Sequence, residues 1–357
     1  MQINFFNKKR IISEKHKPFI IGEISANHDN SLDKTFELLK LAKKIGLESV
    51  KFQTFDLDEM TLNIKKKEFM LKNSFKSSSW NHRSLYSLYQ EAQLPHKWHE
   101  PLFKFCKSLK LLCFSSVFDE ISLKLLEKLN CPIYKIASLE SLHFPLIEKV
   151  LKTRKPVFIS TGTLNIEEID ELVCFLKKKK SNNYLLMHCV TDYPANIQDL
   201  NLGHIKYLKS KYKCEVGFSD HTTGNIGAIA SVAHGATVIE KHFKLKEKKN
   251  MLDNNFSLNP SEMMKFINEV NNSWIAKGKS PKQISVNEKK FVKYRRSIYA
   301  TNDIQPNEIF TINNVKVIRP GLGLSPKYYN DLLGKRANKF IRLGNPIDLK
   351  DFKYKKK

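Results

Sequence analysis

Two histidines close two apolar runs in the middle of the chain. His221 follows the run in GFSDHT and His242 stands near the end of VIEKHF. Residues 214–220 and 236–243 read as short strands, with a helix between them over 225–234. Side chains alternate along a strand, so Glu240 and His242 point the same way. Two imidazoles carried to one edge of a parallel sheet can hold one divalent metal ion, with positions left for water and substrate. Two polar strand ends hydrogen-bonded to their neighbours would fit this stretch alone equally well.

The other apolar runs end in polar residues too. Glu23 is followed by Asn27 and His28. Lys51 and Gln53 share a run, as do Ser115 and Ser116. Lys135 precedes Ser138 and Glu140, and Ser160 opens Ser-Thr-Gly. His188 leads to Thr191, Asp192 and Tyr193, and Ser219 and Asp220 precede His221. A single serine reads as a turn or a helix cap. A lysine facing a protein interior needs a partner, because an unpaired buried ammonium is costly. Lys51 and Lys135, with hydroxyls at Ser116, Ser138, Ser160 and Ser219, are suited to a phosphorylated or carboxylated small molecule. Glu23, Glu240 and Asp253 are candidates for proton transfer or for holding sugar hydroxyls. An anion site beside an ion that polarises a carbonyl suggests carbon–carbon bond formation between a phosphorylated enol and an aldehyde. A metal-dependent hydrolase would use similar parts.

The elements that must carry these residues are eight short strands, expected at 19–24, 49–53, 111–116, 133–137, 157–160, 184–189, 214–219 and 236–242. Stripes such as Leu38, Leu41, Ala42, Ile45 and Ile121, Leu125, Leu126, Leu129 mark helices between them. Eight strand–helix repeats over roughly 250 residues predict a (β/α)8 TIM barrel, whose active site lies at the C-terminal strand ends. Residues 244–257 read as a loop over the mouth, and 261–274 as the last helix, capped by Ser261. The expected division is a barrel over 1–275, a linker over 276–285 and a small second domain over 286–357. Ile298, Ile304, Ile309, Phe310, Val315, Val317, Ile318, Leu332, Leu333 and Ile341 would form the core of that second domain, one too small to be more than marginal alone.

The 357 residues carry a formal net charge of +25, much of it on scattered lysines including 177–180 and the 355–357 tail. We read these as solvated faces and a frayed terminus, and no module that reads bases is present. Cys106, Cys113, Cys131, Cys174, Cys189 and Cys214 show no CxxC spacing and read as buried free thiols. The first residues lack the apolar region of a signal peptide, and no run is long enough to span a bilayer, so the expectation is a cytoplasmic protein with neither membrane nor nucleic-acid partner.

The motifs IGEISANH (21–28), VKFQT (50–54), YKIAS (134–138), STGT (160–163), LLMHCVTDYPA (185–195), GFSDHT (217–222), IEKHF (239–243) and SLNP (257–260) follow one another along nearly the whole chain. In this order and spacing the sequence resembles the sialic acid synthases, which condense phosphoenolpyruvate with an N-acetylated hexosamine such as N-acetylmannosamine. VIRPGLGLSP (317–326) is similar to the antifreeze-like (SAF) domain that ends those chains. The resemblance implies that His221 and His242 bind a metal, usually Mn2+, with Mg2+ or Co2+ as alternatives. It implies phosphoenolpyruvate ligands at Lys51, Ser116, Lys135, Ser138, Ser160 and Ser219. Glu23 would position water and the reacting carbons, and Glu240 would be the acid beside the metal ligand. Asp253 and Tyr193 would contact the sugar, as would Thr191 and Asp192, where relatives making different acids vary. It further implies a domain-swapped homodimer in which Arg319 reaches the partner's site. The implied reaction adds water at C2 of phosphoenolpyruvate, attacks the aldehyde from C3 and releases phosphate by C–O cleavage. Legionaminic and pseudaminic acid synthases, which use di-N-acetylated hexoses, share these motifs. Two departures stand out: Val117 replaces a usual proline, and residues 248–252 replace a Gly-Pro-rich stretch before Asp253.

Overall fold

The structure is a computed structural model that describes residues 1–6, 8–71, 80–245, 252–278, 281 and 283–353. It divides into two compact units, Met1–Gly278 and Lys279–Lys357. The first begins with an antiparallel hairpin, β1 (Gln2–Phe5) and β2 (Lys8–Ile11), which the sequence reading did not anticipate. Its Ile3 and the following Ile12 are buried against the barrel core. Eight parallel strands then close on themselves: β3 (Phe19–Glu23), β4 (Ser49–Thr54), β5 (Leu112–Val117), β6 (Tyr134–Ile136), β7 (Val157–Ser160), β8 (Tyr184–Cys189), β9 (Val216–Asp220) and β10 (Val238–His242). This is the expected TIM barrel, each strand close to its predicted place.

The register decides which polar residues meet. His242 pairs with Glu23 and Glu23 with Lys51; Gln53 pairs with Ser116 and Ser116 with Lys135; Cys189 pairs with Ser219 and Ser219 with Glu240. Since side chains two apart share a face, one parity of every strand fills the interior. Below the polar ends that parity carries Phe114 and Phe158, packed edge to face with ring centroids 6.0 Å apart. The barrel is therefore plugged by apolar side chains and open only at its C-terminal end.

The helices follow from local chemistry, with three corrections. The last barrel helix, Pro260–Lys277, is capped by Asn259 in a capping box with Glu262, not by Ser261. Pro260 occupies the first turn, where its missing N–H costs nothing, which moves the cap one residue upstream of it. The helix also runs through Ala276, into the stretch read as linker; Lys279, Ser280 and Lys282 of that stretch lie outside the described residues. In the helix Glu120–Lys128 the buried positions are Ser122, Leu123 and Leu126, while Ile121 is exposed. Asp119 caps that helix through Ser122 N–H, and this cap rotates Ile121 to the solvent side.

The second unit pairs β11 (Ser297–Ala300) with β12 (Val315–Ile318) antiparallel and adds single bridges at Ile304–Ile341, Ile309–Arg336 and Ala337–Phe352. Its core holds Ile298, Ile304, Phe310, Val315, Leu332 and Ile341 as expected, joined by Leu324, Ile347 and Phe352. Ile309 and Ile318 are instead exposed. Ile318 lies three residues after Val315 on the same strand, so alternation sends it to the opposite face. All six cysteines are free; Cys174 is exposed and Cys214 half-buried, which corrects the expectation that all are buried. Among the described residues no helix is long and apolar enough to cross a membrane. The 354–357 tail and residues 248–251 lie outside the described residues.

Candidate active site

The C-terminal strand ends surround one cavity of about 550 Å³. Lys51, Ser116, Lys135, Ser138, Ser160, Thr191, Asp192, Tyr193, Ser219, His221, Glu240, His242 and Asp253 all line it, so the structure brings thirteen of the predicted residues together. Glu23 lies just beneath its wall, fully buried behind Lys51 and Gln53. Arg319 belongs to the second unit, where it is exposed at the end of β12.

Four charges form the floor. Lys51 Nζ lies 2.6 Å from Glu23 Oε2, donates to Ser116 Oγ at 2.9 Å and sits 3.7 Å from Glu240 Oε1. Lys135 Nζ lies 3.6 Å from Glu240 Oε2. Ser219 Oγ donates to Glu240 Oε1 at 2.9 Å. These partners push the two carboxyls apart. Burial alone would raise Glu240, but Lys135 and Lys51 hold it at about 2. Burial raises Glu23, and the Glu240 charge adds to that rise against the opposing pull of Lys51. Lys51 is raised by its two carboxylates in spite of burial, whereas burial lowers Lys135. One firmly ionised carboxylate beside one raised carboxyl is how a site separates a charge stabiliser from a proton carrier.

The histidines stand at the rim of this floor, ring centroids 5.7 Å apart. His221 Nδ1 lies 2.8 Å from the carbonyl oxygen of Val190, which can only accept, so Nδ1 carries the proton. Ser219 Oγ, 3.4 Å from Nε2, spends its own hydrogen on Glu240, leaving the Nε2 lone pair free. Burial, with His242 close by, lowers His221 to about 3 and keeps the ring neutral. His242 Nδ1 is buried without a hydrogen bond, and Asp253 Oδ2 faces it at 3.6 Å. A neutral His221 held by a carbonyl, with the His242 ring beside it, fits a metal pair, and with metal–nitrogen bonds of about 2.1 Å two rings at this spacing can share one ion. Among the described residues no group of three or more His, Cys, Asp or Glu is arranged to hold a metal.

A third cluster surrounds Gly162. Its N–H donates to Ser138 Oγ at 3.1 Å, and Ser138 Oγ lies 3.0 Å from Cys189 Sγ. A β-carbon here would meet Thr191 Oγ1, Cys189 Sγ and Ser138 Oγ within 2.9 Å, so these side chains close on the backbone and only glycine fits. Thr191 Oγ1 is buried and has no partner of its own.

Sequence reasoning gave no role to several residues of the wall. Gln53 donates to Glu23 Oε1 at 3.2 Å; its place two residues after Lys51 was a usable signal. Glu140 lines the cavity and is raised to about 7 by burial. Trp80 and Phe256 flank Tyr193, with centroids at 5.5 and 5.2 Å, and come from loops that carry no periodicity.

The model of the NeuB family matches residues 38–282 and that of the SAF domain matches residues 295–353. The chain belongs to the NeuB family. It is 37% identical over 353 residues to a pseudaminic acid synthase of Campylobacter jejuni, covering 99% of this chain and 100% of that one. It is 35% identical over 327 residues to an N,N'-diacetyllegionaminic acid synthase of the same species, covering 90% and 96%. Its fold is similar to the crystal structure of an N-acetylneuraminic acid synthetase of Leptospira borgpetersenii, with a TM-score of 0.71 and 29% identity over 82% of this chain and 95% of that one. The NeuB match ends near the boundary between the two units, and the SAF match lies within the second.

Proposed function

We propose that this chain is a nonulosonic acid synthase that condenses phosphoenolpyruvate with a di-N-acetylated hexose to give a pseudaminate-type acid and phosphate. The observation that carries the reading is the cavity floor, where two buried ammonium groups and converging hydroxyls lie beside the paired imidazoles of His221 and His242. Its pseudaminate form rests on the full-length likeness to the Campylobacter pseudaminic acid synthase, whereas the motifs alone had put N-acetylmannosamine first.

Lys51 and Lys135, with Ser116, Ser138, Ser160 and Ser219, hold the phosphate and carboxylate of phosphoenolpyruvate. Glu240 keeps both lysines charged and in place. Water adds at C2 and gives one proton to Glu23, whose raised carboxyl suits both accepting and returning it. C3 bonds to the aldehyde carbon, and the aldehyde oxygen takes up a proton. The bond between C2 and the phosphate oxygen then breaks, phosphate leaves with the second proton of the added water, and C2 becomes a ketone. His221 and His242 would hold a divalent cation, Mn2+ first with Mg2+ or Co2+ as alternatives, which would polarise the sugar carbonyl as a Lewis acid. Asp253, Tyr193 and Asp192 orient the sugar, and Arg319 reaches its N-acetyl group from the partner of a domain-swapped dimer. The enzyme works in the cytoplasm, where phosphoenolpyruvate is made.

The test is inorganic phosphate released from phosphoenolpyruvate with Mn2+ and either a di-N-acetylated hexose or N-acetylmannosamine. Release that needs the di-N-acetylated sugar supports the reading, release with N-acetylmannosamine alone moves it to sialic acid, and ester hydrolysis without phosphoenolpyruvate replaces it with a hydrolase. His221→Ala and His242→Ala should each abolish metal-dependent release. Mixed dimers of Arg319→Ala and His221→Ala chains should recover part of the activity.

A further inference from the structure

Alternation along β10 sends Glu240 and His242 into the barrel and Lys241 outward, into the layer between strands and helices. That layer is built of apolar residues such as Val232, Ile239 and Phe266, yet Lys241 is fully buried in it. An ammonium there is tolerated only if its hydrogens are met. Lys241 Nζ donates to the carbonyl oxygens of Thr222 and, at 3.1 Å, Gly224, and faces Asp220 Oδ2 at 3.3 Å. Asp220, also fully buried, turns its other oxygen on the same turn. Oδ1 accepts from Thr222 N–H at 2.9 Å and from Thr222 Oγ1–H at 2.8 Å.

The hydrogen bonds of this pair fall on the turn that carries His221, since Asp220 precedes it and Thr222 follows it. Lys241 itself immediately precedes His242, and Asp220 and Lys241 are register partners across the β9–β10 ladder. The two imidazoles thus come from backbone segments tied together by one outward-facing ion pair. A purely apolar residue at position 241 would fill the space but leave the turn's carbonyls without donors. Neither residue touches the cavity, so substrate binding does not explain them.

We infer that Lys241 and Asp220 are positioning residues that hold the His221 turn in register with His242 and so set the affinity of the histidine pair for a divalent cation. This rests on the metal reading proposed above.

The test uses the metal-stripped full chain titrated with Mn2+ and followed by the paramagnetic resonance signal of the free ion. Phosphoenolpyruvate binding and thermal melting are measured alongside. The double variant Lys241→Met/Asp220→Asn removes both charges together, leaves no lone buried charge and keeps an acceptor for Thr222. It should weaken Mn2+ binding about 10- to 100-fold, the range seen when groups that orient metal ligands are removed. Phosphoenolpyruvate affinity should fall several-fold less than Mn2+ affinity, because Lys51, Ser116, Lys135 and Ser160 stand on β4, β5, β6 and β7, away from the substituted pair. A folded double variant that binds Mn2+ as tightly as the unsubstituted protein would overturn the inference. Equal losses for Mn2+ and phosphoenolpyruvate would also overturn it, since they mark a general structural role. Should the double variant not fold, Thr222→Val, which removes only the hydroxyl donated to Asp220 Oδ1, should give a smaller loss of the same kind, and unchanged Mn2+ binding there would count equally against it. Absence of Mn2+ binding by the unsubstituted chain would overturn the metal reading, and this inference with it.

Discussion

At the floor of the barrel cavity Lys51, Lys135, Glu23 and Glu240 are linked by contacts of 2.6–3.7 Å, all of them buried. The core of the second unit is built from Ile298, Ile304, Phe310, Val315, Ile347 and their neighbours. Its buried polar groups close turns. Ser297 bridges Pro320 O and Gly323 N, Asn314 ties Thr311 to Ile309, and Asp351 caps a short turn from Asp348. The contrast separates two uses of polarity. In the second unit Ser297, Asn314 and Asp351 each satisfy backbone groups nearby, which stabilises. In the barrel the charges satisfy one another across four strands, an arrangement that an apolar plug would match or exceed in stability. Its presence argues for chemistry.

Four measurements bear on that contrast. The largest effect should come from Lys51→Met, which removes the ammonium shared by Glu23 and Glu240. We expect phosphate release to fall roughly 10²–10³-fold, the scale for removing one charge-stabilising donor. Retained activity would mean that the buried charges serve the fold alone. In the second unit the counterpart is Phe310→Ala. Denaturant unfolding of that unit should show a loss of about 3–5 kcal/mol, the cost of truncating a buried phenylalanine.

Next comes the pH dependence of stability from Glu140. Its carboxyl is raised to about 7 in the folded chain from 4.5. Below pH 4.5 both states hold the proton and nothing is lost. Between pH 4.5 and 7 the unfolded chain has released it and the folded chain has not, so stability falls as pH rises, by about 3 kcal/mol in all. Glu140→Gln should flatten that part of the stability profile, and an unchanged slope would place the dependence elsewhere. The smallest effect is expected at Ile309→Thr. Ile309 is 40% exposed, so unfolding should shift by no more than about 0.5 kcal/mol. A loss near that of Phe310→Ala would return Ile309 to the core, where the sequence reading had put it.

The errors of that reading are themselves local. Ser261 was read as the cap of the last helix, whereas Pro260 takes the first turn and Asn259 is the cap. Ile121 was assigned to a stripe that the Asp119 cap rotates away from the core. Both elements were present, and only their phase was off.

Sequence alone determined the eight strands and their polar ends, because an apolar run, its parity and its bounding turn are properties of neighbouring residues. It also determined that Glu240 and His242 share a face. Tertiary structure decided what those ends meet. Glu23 and Lys51 are 28 positions apart and Ser219 and Glu240 are 21 apart, and only the register of the closed barrel makes them partners. The proton on His221 Nδ1 was decided by a carbonyl 31 residues away, the raised carboxyl of Glu140 by the burial around it, and the aromatic wall of Trp80 and Phe256 by loops without periodicity. Charge states and cavity walls depend on what surrounds a residue in space, and a linear pattern records only what adjoins it along the chain.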